Sequence, residues 1–189
     1  MSAFDRIAVG EPRELGSHYF TADEIKRFAT AYDPQPFHTD EKAASHSLLG
    51  GLCASGWHTG AVMMRTFVDF IDREAEQAKR RGEPPLRYGV SPGFDDLKWL
   101  KPVFAGDTIT FTGEITAKRR SKSRPGWGIL TVTTRGKNQK DEPVFTVTSH
   151  MFVATEDERA DPHGERDGGW AFRHRGQLSS AAEVDLLRD

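Results

Sequence analysis

The chain contains one cysteine, Cys53, so an internal disulfide is excluded. Set in an apolar stretch, its thiol is expected to be a small buried hydrophobe. A surplus of one charge is also missing: 26 Lys and Arg stand against 28 Asp and Glu, a formal net charge of −2. Nothing in that balance attracts nucleic acid or an anionic membrane, so a small molecule or another protein is the favoured partner. Long apolar runs are absent too. The most apolar stretch, LLGGLCASGWHTGAVMM at 48–64, is broken by glycines and a histidine and falls short of the roughly 20 residues a membrane span needs. It reads as a buried helix of a soluble protein. The opening MSAFDRIAVGEPRELG has neither a charged leader nor an apolar core, which predicts no secretory signal and a cytoplasmic address.

What is present suffices for one core: 189 residues with 37% hydrophobic content match a single domain, expected over residues 1–155. Thr21, with Glu24 three residues on, forms a capping box, and Phe20 against Ile25 forms a hydrophobic staple. Ile25, Phe28, Ala29 and Tyr32 then fall on one helical stripe, which Pro34 ends at Asp33. After the loop, Thr39, Asp40 and Glu41 start a short helix to about Ser45. From Leu52 to about Ile71 apolar residues occur all round, which predicts a helix wrapped by other structure. Its charged continuation, Asp72 to Arg81, is expected to emerge into solvent.

The second half alternates. Thr108–Ala117, GILTVTTR at 128–135 and VFTVTSHMFVA at 144–154 read as half-buried strands, with FDDLKWL at 94–100 a shorter one. Helices followed by consecutive antiparallel strands predict an α+β fold with the sheet wrapped around the long helix. Residues 156–189 carry 14 charges in 34 positions and are expected to be a charged tail, disordered or laid over the surface.

Chemistry concentrates in YDPQPFHTD at 32–40. Asp33 and His38 are an acid and a base near neutrality, and the prolines at 34 and 36 stiffen the gap between them. Two groups that act on one water need such a fixed separation. Spacing alone also allows Asp33 to cap a turn and His38 to be an ordinary surface residue. Ser55 and His58 have no visible acid to complete a nucleophilic triad. His38, Asp40 and His46 lack a recognisable ligand spacing, so no metal is expected. KRRSKSR at 118–124 reads as a solvated hairpin or as a place for phosphates.

The stretch FATAYDPQPFHTDEKAA followed by LLGGLCASGWHTGAVMM resembles the MaoC-like acyl dehydratases and the related R-specific enoyl-CoA hydratases of the hot-dog fold, over roughly residues 15–155. Their motif, Asp-x-Asn-Pro-apolar-His, reads here Asp33-Pro34-Gln35-Pro36-Phe37-His38, with Gln35 in place of asparagine. The resemblance implies an acyl-thioester hydratase or dehydratase acting at the 2,3 double bond of an enoyl-CoA-type substrate, with Asp33 and His38 as the acid/base pair. Gly50 and Gly51, just ahead of the long helix, would offer backbone N–H groups to an enolate oxygen, although a plain turn also uses two glycines. Ser55 matches a pocket-lining serine, or it is a helix-interior serine bonding its own backbone. No cofactor is implied beyond coenzyme A as part of the substrate, and the partner copy would be a second chain in a homodimer or a dimer of dimers. A thioesterase and a non-catalytic acyl-thioester binding subunit are the alternatives.

Overall fold

A computed structural model describes residues 2–155; the charged segment at 156–189 lies outside the described residues. The elements run β1 (Pro12–Tyr19), α1 (Ala22–Tyr32), α2 (Pro36–Thr39), α3 (Glu41–Ser45), α4 (Gly56–Arg80), β2 (Gly93–Trp99), β3 (Thr108–Arg120), β4 (Trp127–Lys137) and β5 (Pro143–Ala154). The strands form one sheet in the order β1-β3-β4-β5-β2, every neighbour antiparallel. The long helix α4 packs on the sheet, so the α+β architecture is the one the hydrophobic periods require.

Alternation sets the faces. Along β3, Ile109 and Phe111 point inward and are fully buried, while Thr108, Thr110 and Thr112 stand on the other face, half-buried. Phe20, Ile25, Met63, Val144, Phe145 and Val147 close over the same core. A second cluster of Leu130, Val132, Met151 and Val153 takes the ring of Phe4 from the N-terminal segment. That segment is held by Lys118, whose Nζ donates to the carbonyls of Phe4, Asp5 and Ile7. Gly128 makes room for the ring, because a Cβ there would lie 2.4 Å from it.

Three expectations change. The strand β1 has no counterpart in the sequence reading, because PRELGSHY buries only Leu15 fully and breaks its own alternation at a bulge, where Gly16 adopts φ +142°. The long helix starts at Gly56 rather than near Leu52, with Ser55 as its N-cap. Leu52, Cys53 and Ala54 are instead extended: Cys53 bridges to Phe104, and Ala54 N–H donates to Val103 O at 2.7 Å. Finally, α4 is covered on one side within the single chain, where Met63 is buried but Trp57 and Met64 are exposed, and Tyr32 of α1 is 65% exposed. Apolar content alone does not say which face a helix buries when a neighbouring chain could cover the rest.

Histidine 58, in the first turn of α4, lies stacked on Phe28 with ring centroids 4.5 Å apart and meets Phe20 edge-on. Its Nδ1 is, among the described residues, a buried nitrogen without a hydrogen-bond partner. Burial, only partly countered by the nearby Glu24 carboxylate, pushes its pKa down to about 4. The folded protein therefore resists protonating a group that the unfolded chain protonates from about 6.5 downward, so stability falls as pH drops between about 6.5 and about 4. Urea unfolding should show about 2 kcal/mol less stability at about pH 5 than at about pH 7 from this residue. His58→Phe should remove that part of the slope; an unchanged slope would assign the acid sensitivity to other groups.

Candidate active site

Pro34 cannot continue α1, so the helix closes at Asp33, whose N–H still donates to Ala29 O at 2.8 Å. Two residues later the chain turns again: Gln35 N–H donates to Asp33 O at 2.7 Å across Pro34, and Pro36 opens the single turn α2. His38 sits in that turn and is buried, 6% exposed. The two prolines thus place an acid and a base on successive short bends, with little conformational freedom left to lose on folding.

Each side chain is held from behind. His38 Nδ1–H donates to Cys53 O at 2.7 Å. A carbonyl can only accept, so Nδ1 carries a proton and Nε2 is the ring nitrogen left to face Asp33. The extended segment 52–54 exists in the right place to do this because it is pinned to Val103, Phe104 and Ala105 of the corner after β2. Cys53 contributes its carbonyl, while its buried thiol is pushed up to about 11 by burial and lies 3.6 Å from the same ring nitrogen. On the other side, Asp33 accepts from Ser55 Oγ–H at Oδ2, 2.7 Å, and from the Gln35 amide at Oδ1, 2.8 Å.

The two groups face each other. His38 Nε2 and Asp33 Oδ2 are 3.6 Å apart, too far for a direct hydrogen bond and suited to a shared water molecule or hydroxyl. The Ser55 and Gln35 hydrogen bonds hold the Asp33 carboxyl below its ordinary value; burial opposes them and the His38 ring adds a smaller lowering. The result is a carboxylate held toward its ionised form facing the Nε2 of a buried imidazole, with little of either side chain exposed to solvent.

Of the residues singled out in sequence, Asp33, His38 and Ser55 come together. Ser55 is a cap rather than a helix-interior residue: its hydroxyl donates to Asp33 and accepts from Trp57 N–H at 3.2 Å. Gly50 and Gly51 precede α4 by a full extended segment. Gly50 needs its glycine for φ +74° and donates its N–H to Ser47 O; at Gly51 a Cβ would make only ordinary contact with Phe104. In the basic run, Lys118 holds the N-terminal segment, Arg120 pairs with Asp5 and Arg124 lies over the Phe152 ring. Sequence reasoning missed the Cys53 carbonyl and the Gln35 amide. The serine–glycine pair at 55–56 was the available signal for a helix start after the extended segment.

Because Ser55 supplies the largest lowering at Asp33, Ser55→Ala should move the Asp33 carboxyl titration, followed by carbon-13 NMR, toward higher pH. No movement would mean that the hydroxyl does not hold the carboxylate in solution.

The sequence profile described as MaoC like domain matches residues 6–138. The crystal structure of the MaoC-like dehydratase from Rhodospirillum rubrum is 36% identical, with a TM-score of 0.68, covering 82% of this chain and 97% of that one. An (R)-hydratase from A. caviae involved in PHA biosynthesis shares the fold at a TM-score of 0.53 and 23% identity, covering 77% of this chain and 96% of that one. Mesaconyl-CoA hydratase of Cereibacter sphaeroides is 34% identical over 68 residues, which are 36% of this chain and 20% of that enzyme. The long helix on an antiparallel five-stranded sheet is thus a hot-dog fold, and the chain belongs to the MaoC-like dehydratase family.

Proposed function

We propose that the protein adds water to, or removes it from, the 2,3 double bond of an acyl thioester, with Asp33 and His38 as the acid/base pair. The observation that carries this reading is the 3.6 Å gap between His38 Nε2 and Asp33 Oδ2, with the outer side of each group already fixed. A water lying off the line between the two atoms, within hydrogen-bond reach of both, donates one proton to a basic atom and is aimed by the other. In hydration its oxygen bonds to C3, a proton is delivered to C2, and the electron pair rests meanwhile on the thioester oxygen as an enolate. A thiolate leaving group is not needed, so the site has no use for a nucleophile, and Ser55, bound to Asp33, is not free to be one. The enolate needs nearby donors; the Gly51 N–H and the first turn of α4 are the backbone groups assigned to that role, while Gly50 is already committed to Ser47. The family, the hydratase relative from Cereibacter sphaeroides and the solved (R)-hydratase all point to the same reaction class.

The substrate's thiol carrier is assigned as coenzyme A or an acyl carrier protein, and the working unit as a homodimer. The second copy has a place to bind: β2 is an edge strand, with Phe94 55% and Trp99 45% exposed along it. Trp99 at its end donates through Nε1 to Gly56 O, the first residue after Ser55, so a chain paired on β2 would lie beside the site. Sedimentation at micromolar concentration should give twice the chain mass, and Phe94→Lys should shift the equilibrium toward the single chain. A wild-type chain that stays single would remove the dimer from the account.

Hydration of crotonyl-CoA, read as loss of enoyl absorbance without thiol release, tests the reaction. Asp33→Asn and His38→Ala should each lower kcat about 10²- to 10⁴-fold with the fold retained. Full activity in both variants would defeat the assignment. Thiol release would indicate hydrolysis instead, and binding without turnover, surviving His38→Ala, would indicate a non-catalytic subunit.

A further inference from the structure

We propose that Gln35 is a positioning residue: its side-chain amide grips Asp33 Oδ1 and thereby fixes the carboxylate so that Oδ2 faces His38. This rests on the reading of Asp33 and His38 as the reacting pair and assigns a role to the residue between the two prolines.

The geometry around Gln35 points one way. It occupies the N-cap of α2, where Ser, Thr, Asp or Asn would serve the helix best, and its side chain makes no cap hydrogen bond. The amide turns back instead and donates to Asp33 Oδ1 at 2.8 Å. Its backbone faces both members of the pair as well: Gln35 N–H donates to Asp33 O at 2.7 Å, and Gln35 O accepts from His38 N–H at 2.9 Å. One residue therefore links the acid and the base through two main-chain bonds and one side-chain bond. Flanking prolines at 34 and 36 hold its backbone extended, at φ −77° and ψ 139°, and that conformation lets a side chain two residues on reach the carboxylate.

The chemistry needs both oxygens fixed. A carboxylate held by Ser55 alone at Oδ2 can swing about its last torsion, which is broad for an aspartate. With Oδ1 tied to Gln35, rotation would break a charge-assisted bond, so the gap to His38 Nε2 stays at one value. The amide also favours the ionised form, in line with the lowering already seen at Asp33. Gln35 is exposed, so its removal leaves the core packing untouched.

Gln35→Met keeps the length of the side chain and removes the donor, whereas Gln35→Asn keeps the amide on a shorter arm. In Gln35→Met the Asp33 carboxyl, followed by carbon-13 NMR without substrate, should titrate at higher pH than in the wild type. With crotonyl-CoA, kcat should fall roughly tenfold while KM changes less than about twofold, and the acid limb of kcat against pH should move the same way as the carboxyl. Gln35→Asn should recover part of both effects, and thermal unfolding should be unchanged in either variant. Wild-type titration of Asp33 together with wild-type kcat in Gln35→Met would overturn the proposal while Asp33→Asn stays inactive. Full hydration by Asp33→Asn would instead remove the pair on which the proposal rests.

Discussion

The hydrogen bond from His38 Nδ1 to the Cys53 carbonyl is the constraint on which the rest of the site depends. A backbone oxygen accepts and cannot donate, so this single contact decides the tautomer and turns Nε2 toward Asp33. To offer that carbonyl, residues 52–54 must be extended rather than helical, which is why α4 starts only at Gly56. The extended segment in turn needs the corner after β2, where Val103 O takes the Ala54 N–H and Ala105 N–H reaches Leu52 O. Loss of that corner would release the carbonyl, and with it the ring. Site and fold are therefore coupled through main-chain bonds, not through side-chain packing alone.

Asp33 is fixed by a second set of contacts that does not pass through the sheet. The end of α1, the Pro34 turn and the N-cap of α4 meet at its carboxylate, each bringing one donor or one bend. Charge-assisted bonds of this kind are stronger than neutral ones, and here both donors favour the ionised acid. The two halves of the site, tied to each other by Gln35 and by the segment from Cys53 to Ser55, face each other at 3.6 Å. An acid and a base in direct contact would satisfy each other; held slightly apart, both remain available to a third molecule.

Much of this was legible in the chain. The Asp33–His38 spacing, the helix cap at Thr21, the stop at Pro34 and four of the five strands follow from local rules about capping, proline and alternation. The first strand was not legible, because its sheet face consists of Leu15 and a bulged glycine rather than an alternating run. Nor was the extended segment at Leu52, whose apolar residues suit a helix equally well and are drawn straight by partners about 50 residues away in sequence. Gln35 stood out as a departure from the family motif, yet only the folded loop shows what the amide holds. Local signals recover elements; contacts between a side chain and a distant carbonyl come from the assembled fold.

The proposed reaction requires one water held jointly by His38 Nε2 and Asp33 Oδ2. A crystal structure of the unliganded protein at atomic resolution tests it without choosing a substrate. One ordered water is expected within about 3 Å of both atoms, with the Nδ1 hydrogen directed at Cys53 O. A direct His38–Asp33 hydrogen bond that leaves no water between them would contradict it.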